Sequence, residues 1–448
     1  MKILMTADTI GGVWTYALEL AGELHHQGVE VTLATMGDPL RSRQRRDAHA
    51  IPSLTLCEST YKLEWMDDPW HDVQEAGDWL LYLEDTVRPD VVHLNGYVHA
   101  ALPFKAPVMI TAHSCVVSWW QAVKKCSPPD SWNAYAHAVR KGIEAADMVV
   151  APTRAMLNTI IANYGSPTRS QVVPNGRRLD VTGTSPKWPF IISAGRLWDE
   201  AKNVRLLEEV ASRLPWPVWL AGETMLTQSQ PFRRRNVNLL GPLPFPELAR
   251  WLDRAAIYAL PARYEPFGLS VVEAALCGCA LVLGDIESLR EVWGQAALYV
   301  SPDDRDGLAA TLQGLIDDPE RCHHQGRIAR ERALKCLRHI SPSSLTDAFK
   351  VRSAFWATVC PIARPASKHS FCKPPPGCRM PDSCSGAAAG TTSRCLSMCI
   401  SWVTCTRAIT TLSIAHRERC STSIAKAWPA TVIHRRRECS KQPVRAPA

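Results

Sequence analysis

The sequence predicts an α/β protein in which two doubly wound parallel-sheet domains follow one another and face a ligand cleft. Short apolar runs alternate with amphipathic stretches over the first 335 residues, and the alternation restarts after a weakly patterned segment at residues 178–189. Several runs are almost continuously hydrophobic, which is typical of strands whose sheet is covered by helices on both faces. Ligands in such folds bind at the carboxyl ends of the strands.

The first domain is predicted to span residues 1–177. Its strands are short apolar runs and its helices are longer stretches with one apolar face. The predicted strands are at residues 2–7, 29–35, 90–94, 108–112, 148–151 and 171–173, and the predicted helices at 13–27, 70–87, 131–145 and 154–163.

The second domain is predicted to span residues 178–335 and repeats the pattern. The predicted strands are at residues 190–194, 218–221, 237–240, 257–260, 280–283 and 297–300, and the predicted helices at 203–213, 246–254, 268–277, 306–316 and 319–335.

Residues 336–448 differ in composition from the rest of the chain. They carry 17 Lys and Arg against 4 Asp and Glu, whereas the first 335 residues carry 34 against 39. They also hold ten of the 16 cysteines, and they lack any sustained period of 2 or 3.6 residues. The net charge of +8 therefore belongs to this tail, for which the sequence predicts disorder rather than a domain.

Two classes of protein are disfavoured by these patterns. No apolar run reaches the roughly 18 residues of a membrane-spanning helix, and the first ten residues resemble a strand rather than a signal peptide. The expected location is the cytoplasm, with peripheral membrane association left open. The tail lacks the interleaved aromatic residues of a nucleic-acid-binding segment, so no nucleic-acid partner is expected.

A Gly-Gly turn follows the first predicted strand. Gly11 and Gly12 lie between that strand and the first helix, where backbone N–H groups can approach a phosphate at the positive end of the helix. Most such turns only connect elements. The three-glycine dinucleotide fingerprint is absent, which disfavours an NAD-binding domain.

Two basic residues flank the end of the first strand of the second domain. Arg196 and Lys202 lie where the strand gives way to a helix, so both side chains can converge on one anionic group such as a diphosphate. Taken alone, they would more often be solvated residues paired with Asp199 or Glu200.

The segment from Tyr264 to Ala274 is the most specific. Pro266 and Gly268 predict a tight loop, in which Glu265 lies, before a helix that carries Glu273 in an otherwise apolar stretch. Burying a carboxylate is costly unless a partner compensates. Sugar hydroxyls or an arginine can be that partner, and a structural salt bridge is the alternative.

Together these motifs resemble the retaining GT-B glycosyltransferases of family 4, which include sucrose synthases and bacterial mannosyltransferases and, more distantly, glycogen synthases. The resemblance covers residues 1–335 and depends on the Gly-Gly loop, V-P-N-G at residues 173–176, G-R-L…K-N at 195–203, E-P-F-G-L-x-x-x-E-A at 265–274 and the glycine-rich stretch that begins at 278. It implies a GT-B fold of two Rossmann-like domains that face a cleft.

The resemblance also implies roles. Arg196 and Lys202 would stabilise a departing nucleoside diphosphate in place of a metal ion, so no metal or other cofactor is expected. Glu265 would face the transferred sugar, and Glu273 would bind the donor ribose. Further donor contacts are implied for Gly11, Gly12, Phe267, Gly268 and Leu269, and a catalytic role for His113. Taken alone, a histidine at this strand end would more often be an ordinary loop or core residue. The expected partners are a UDP- or GDP-sugar and a saccharide or small-molecule acceptor. From the residues themselves, Trp119 and Trp120 are candidates for stacking on a sugar face, and packing within the fold is the equally good alternative.

The sequence departs from the family pattern in three places. Arg196 and Lys202 are six positions apart, one more than is usual in the family, and Asp180 comes later after Gly176. The helix that normally crosses back to the first domain is also missing from residue 336 onward, which suggests a reading-frame shift near Lys335. An appended zinc domain is the rival hypothesis, but Cys395, Cys399 and Cys405 lack paired ligand spacing.

Three functions therefore stay open. The first is a retaining glycosyltransferase. The second is a non-catalytic nucleotide-sugar- or carbohydrate-binding protein on the same fold, inactive because the crossover helix is lost. The third is a sugar-nucleotide epimerase, which needs no acceptor and is disfavoured by the E-x7-E segment.

Overall fold

A computed structural model of the chain describes residues 1–179, 185–224 and 235–338, with residues 336–338 described by their backbone alone. The hypotheses about the tail at residues 336–448, including the frame shift and the zinc site, thus fall almost wholly outside the described residues, as does Asp180.

The described residues form thirteen strands and twelve α-helices in alternation. The strands are β1 (Lys2–Asp8), β2 (Glu30–Met36), β3 (Leu54–Glu58), β4 (Val91–Leu94), β5 (Val108–Thr111), β6 (Met148–Ala151), β7 (Ser170–Val172), β8 (Trp188–Ala194), β9 (Val218–Ala221), β10 (Val237–Gly241), β11 (Ala255–Leu260), β12 (Ala280–Gly284) and β13 (Leu298–Val300). The helices are α1 (Gly12–His25), α2 (Ser42–His49), α3 (Trp70–Val87), α4 (Val116–Val123), α5 (Asn133–Ala145), α6 (Arg154–Tyr164), α7 (Val204–Ala211), α8 (Phe245–Arg254), α9 (Leu269–Leu276), α10 (Glu287–Trp293), α11 (Arg305–Ile316) and α12 (Pro319–Arg338).

The strands form two parallel sheets. The first has the order β3-β2-β1-β4-β5-β6-β7 and the second the order β10-β9-β8-β11-β12-β13. Every strand pair is parallel; Leu4 of β1, for example, lies beside Thr32 of β2 and Val92 of β4. Both sheets thus direct the carboxyl ends of all their strands to one edge, and the predicted α/β fold of two doubly wound sheets is confirmed.

Each predicted strand occurs to within two residues at either end, but four elements were not predicted. α2 buries only Ala48, and β3 is an edge strand with one fully buried residue, so neither has the apolar period that marks an element. α4 and α10 are only eight and seven residues long. The predicted domain boundary at residue 177 falls between β7 and β8 and stays a prediction.

Close packing at the end of β12 positions the loop that carries Glu265. Gly284 is the last residue of this strand, and a Cβ there would collide with the backbone of Ala262, just after β11. The absence of a side chain therefore lets the loop after β11 lie directly against the neighbouring strand.

Replacing Gly284 by alanine is expected to lower the free energy of unfolding by about 1–3 kcal/mol, because a backbone segment must move to accommodate the methyl group. Gly22→Ala is the matched control, since a Cβ at Gly22 in α1 meets no atom within 4 Å. This control should gain about 0.5–1 kcal/mol from helix propensity. Urea denaturation measures both values, and a Gly284→Ala protein as stable as the wild type would contradict the close packing.

Candidate functional site

One cavity of about 2160 Å³ lies between the carboxyl edges of the two sheets. The loops after β1, β4 and β5 form one wall, and those after β8 and β11 form the other. All the residues that the sequence singled out as site residues line this cavity: Gly11, Gly12, His113, Arg196, Lys202, Glu265, Phe267, Gly268, Leu269 and Glu273. The structure thus brings them together, although it does not test their roles.

The Gly-Gly turn is held by side chains on either side of it. Asp8 accepts a hydrogen bond from the backbone N–H of Ile10 (2.6 Å), and Gly11 has a positive φ of 84°, which glycine adopts without strain. A Cβ on Gly11 would lie 3.8 Å from Nη1 of Arg196, and one on Gly12 would lie 3.7 Å from Leu269. The turn therefore faces the second sheet directly.

Asp8 is a cleft residue that the sequence analysis missed. Burial raises the pKa of its carboxyl to about 7, although the Ile10 amide and the charge of Arg196 act in the opposite direction. Asp38 adds a smaller repulsion that also raises this pKa. Asp8 is the last residue of β1 and lies close before the Gly-Gly turn. That position at a strand end, next to a motif, is the feature of the sequence that could have identified it as a cleft residue.

Arg196 and Lys202 each have a carboxylate partner. Nη2 of Arg196 lies 3.0 Å from Oδ2 of Asp199, and Nζ of Lys202 lies 2.5 Å from Oε2 of Glu265. The ion pair with Asp199 is the one expected if Arg196 were structural, whereas Lys202 reaches across to the loop after β11. Arg196 is nonetheless 39% exposed to the cleft, so a bound anion can reach it.

A short turn lies between Arg196 and Lys202. Residues Glu200–Lys202 form a 3₁₀ turn, and Asp199 caps it by accepting from the N–H of Ala201 (3.0 Å). Asn203 follows with a φ of 54°, and its amide donates to the carbonyls of Pro261 and Pro302. The turn is therefore anchored to two neighbouring loops of its own sheet.

Glu273 pairs with an arginine that the sequence analysis did not single out. The carboxylate is 7% exposed, and its Oε1 accepts from Nε of Arg177 at 2.7 Å. Arg177 also pairs with Glu19 of α1, and its guanidinium lies 4.1 Å above the ring of Phe245. Burial raises the pKa of Glu273, whereas Arg177 lowers it. Of the two partners considered from the sequence, the structure shows the arginine.

His113, which follows β5, is held by residues from the first half of the chain. Nε2 of His113 lies 2.8 Å from Oδ1 of Asn95, and the ring of Tyr16 packs edge-on against it at 4.6 Å. Burial lowers the pKa of His113 to about 4, so its imidazole is neutral at neutral pH.

The two halves of the chain touch beside the cleft, and α4 provides several of the contacts. Trp119 donates its indole N–H to Oδ1 of Asp199 (3.0 Å), and Lys124 pairs with Glu200 (2.7 Å). Ser118 bonds the hydroxyl of Tyr264 at 2.8 Å. Trp119 also lines the cavity, and its suggested role as a platform for a sugar stays a prediction.

A group of three or more His, Cys, Asp or Glu side chains suited to a metal ion does not occur within residues 1–179, 185–224 and 235–338. Over the same ranges, no helix is both long and apolar enough to cross a membrane. The expectation that the reaction needs no metal stays a prediction.

Known proteins resemble both halves of the chain. The sequence profile of Glycosyltransferase Family 4 matches residues 10–181, and that of Glycosyl transferases group 1 matches residues 189–318. D-inositol 3-phosphate glycosyltransferase 1 of Catenulispora acidiphila is 38% identical over 362 residues, which cover 69% of this chain and 84% of the relative. Glycogen synthase of Mycobacterium tuberculosis is 27% identical, over 55% of this chain and 64% of its own length.

Solved structures show the same architecture. Sucrose-phosphate synthase from Thermosynechococcus elongatus superposes with a TM-score of 0.64 at 18% identity, over 80% of this chain and all of that one. Anabaena HepE in complex with UDP-glucose superposes with a TM-score of 0.62 at 16% identity, over 79% of this chain and all of that one. At these identities the likeness shows the fold.

The pH dependence of stability tests the environment of one further cleft residue, Glu64. This side chain is 7% exposed and accepts from the backbone N–H groups of Tyr97 and Val98, each at 3.1 Å. Burial raises the pKa of its carboxyl to about 7 from 4.5, despite the two amides, which favour the ionised form. The folded chain therefore binds more protons than the unfolded chain between these values, and the free energy of unfolding falls as the pH rises through them.

Glu64→Gln removes this titration. Relative to the wild type, its free energy of unfolding should rise by roughly 2–3 kcal/mol between about pH 4.5 and pH 8, since one pKa unit corresponds to about 1.4 kcal/mol. Urea denaturation at both pH values measures the change, with the exposed Glu144→Gln as the control. A constant difference between Glu64→Gln and wild type at the two pH values would show that the buried carboxyl is not protonated.

Proposed function

This chain belongs to glycosyltransferase family 4, with a group 1 transferase domain in its second half. We propose that it transfers a sugar from a nucleotide-sugar donor to an acceptor hydroxyl, and that the anomeric configuration of the sugar is retained. The observation that carries the proposal is the convergence of Arg196, Lys202 and the Gly11–Gly12 turn on one cavity. Two cations beside an exposed glycine turn at the N-terminus of α1 suit a diphosphate.

Arg196 and Lys202 stabilise the leaving group. As the bond between the anomeric carbon and the diphosphate oxygen breaks, negative charge develops on that oxygen. Arg196 offers a planar fork of donors and Lys202 a point charge, both preorganised by Asp199 and Glu265. The acceptor hydroxyl forms the new bond from the same face of the sugar, and its proton passes to the departing phosphate.

The remaining donor contacts follow from position. Glu265 lies beside Lys202 and faces the same cavity, so we assign it to the transferred sugar. Glu273 uses Oε1 for Arg177, and no hydrogen bond to its Oε2 is recorded within the described ranges, so we assign Oε2 to a ribose hydroxyl. The cavity exceeds the roughly 300–1,000 Å³ of an ordinary small-molecule site, which leaves room for donor and acceptor together.

A UDP- or GDP-sugar is the proposed donor. The UDP-glucose complex of HepE makes UDP-glucose the first donor to test. The relatives' names point to an inositol phosphate and an α-glucan as the first acceptors. The six cysteines whose side chains the structure describes are free thiols, which is consistent with the cytoplasm as the proposed location.

Release of nucleoside diphosphate by the full chain, measured with each donor and with or without acceptor, tests the function. Transfer should require acceptor, and proton NMR of the product should show the anomeric configuration of the donor. Binding without release would support the non-catalytic alternative, and interconversion of the donor without acceptor would support an epimerase.

Arg196→Ala and Lys202→Ala should each lower kcat by about 10²–10³-fold and change donor Kd far less, because the lost interaction acts on charge that develops in the transition state. Arg213→Ala is the control, because Arg213 pairs at the surface with Asp306 and lies outside the cavity. An unchanged kcat in either cleft variant would overturn the assigned role.

A further inference from the structure

The hydrogen bonds of Asn95 determine which way its side-chain amide faces. Asn95 follows β4, next to the end of β1, where its backbone N–H donates to Oγ1 of Thr6 at 2.9 Å. Its side-chain Nδ2 lies 2.7 Å from the backbone carbonyl oxygen of Thr6. Because a carbonyl oxygen can only accept, the NH₂ group must face Thr6 and the amide oxygen must face away from it.

The amide oxygen in turn determines the tautomer of His113. Oδ1 of Asn95 lies 2.8 Å from Nε2 of His113, and an amide oxygen has no hydrogen to give. The hydrogen in this contact must therefore be on Nε2. A neutral imidazole carries one N–H, so Nδ1 of His113 keeps its lone pair.

The surroundings of the ring keep it neutral. Tyr16 of α1 packs against the imidazole, and burial raises the pKa of this tyrosine to about 12, so it carries no charge at neutral pH. Burial is also the cause that lowers the pKa of His113, and among the described residues no charged side chain is recorded as acting on it. Nδ1 makes no hydrogen bond to the described part of the chain, and His113 lines the cleft.

We propose that Asn95 is a positioning residue that fixes His113 as the Nε2–H tautomer, so that Nδ1 accepts a hydrogen bond from a hydroxyl of the bound donor sugar. The two ring nitrogens point in diverging directions, so a ring tied to Asn95 by Nε2 presents Nδ1 to a different side. His113 then selects for a donor that carries a hydroxyl at the position it reaches. The sugar-binding part of this inference rests on the proposed function, whereas the tautomer does not.

Long-range proton–nitrogen NMR of ¹⁵N-histidine-labelled full chain measures the tautomer directly, with the His113 signals assigned by their loss in His113→Gln. The wild type should show a protonated Nε2 and a bare Nδ1 at neutral pH. Asn95→Leu removes the acceptor and should shift the signals toward a mixture of tautomers. A wild-type Nδ1–H tautomer, or unchanged His113 signals in folded Asn95→Leu, would overturn the proposal.

Asn95→Asp provides the second readout. The carboxylate still accepts from Nε2 but adds a negative charge within hydrogen-bond distance, which should raise the pKa of His113 by about 1–3 units. The acid limb of the kcat profile should shift upward by the same amount, because a protonated Nδ1 no longer accepts. Asn133→Asp places the same charge on an exposed position outside the cavity and should change neither NMR signals nor profile.

The two sets of results separate the two proposals. A purely structural role for Asn95 would lower stability without moving the tautomer or the acid limb. A wild-type chain with the expected tautomer and no transfer with any donor would overturn the proposed function and leave the assignment of Asn95 and His113 standing. Sugar transfer by a wild type whose His113 carries its proton on Nδ1 would support the proposed function and overturn the assignment of Asn95 and His113.

Discussion

The charges in the cleft are paired with one another, and the rest of the site depends on this pairing. Arg196 is held by Asp199 and Lys202 by Glu265, while Glu273 is held by Arg177. Removing a charged group from water costs several kcal/mol unless a partner compensates. Each buried carboxylate therefore fixes the position of a cation. A diphosphate that binds here meets preorganised donors, but it must compete with the carboxylates that already hold them.

The parallel topology explains why these groups meet at all. Parallel strands end at a common edge, so loops that are far apart in sequence become neighbours. The two sheets then place their edges opposite each other, and Gly11 of one faces Arg196 of the other. Small residues are needed at such close approaches. Gly284 permits the loop that carries Glu265 to lie against β12, and Gly11 supplies the positive φ of the turn after β1.

The fold and the lining of the cleft could be predicted because both depend on local patterns. Buried strands such as β1 and β11 are continuous apolar runs, and the motif residues follow strand ends. The elements that were missed, such as α2 with its single buried residue, lack an apolar period. The site residues that the sequence did not predict depend on contacts between distant segments. Glu64 is buried by the loop at Tyr97. Asn95 can orient His113 only because Thr6 and His113 lie on either side of it. No spacing in the sequence encodes such contacts.

Asp199 shows how far such contacts reach. Its Oδ2 holds Arg196, and its Oδ1 accepts both from Ala201 and from the indole of Trp119 on α4 in the other half of the chain. Asp199 is 6% exposed, so these hydrogen bonds are shielded from water, and replacing them by bonds to water would cost free energy. The guanidinium of Arg196 is therefore positioned by both halves at once. The motif lies in the loop after β8 of the second sheet, but its hydrogen bonds are completed by Trp119 from the first half of the chain. The geometry of Arg196 therefore depends on both halves.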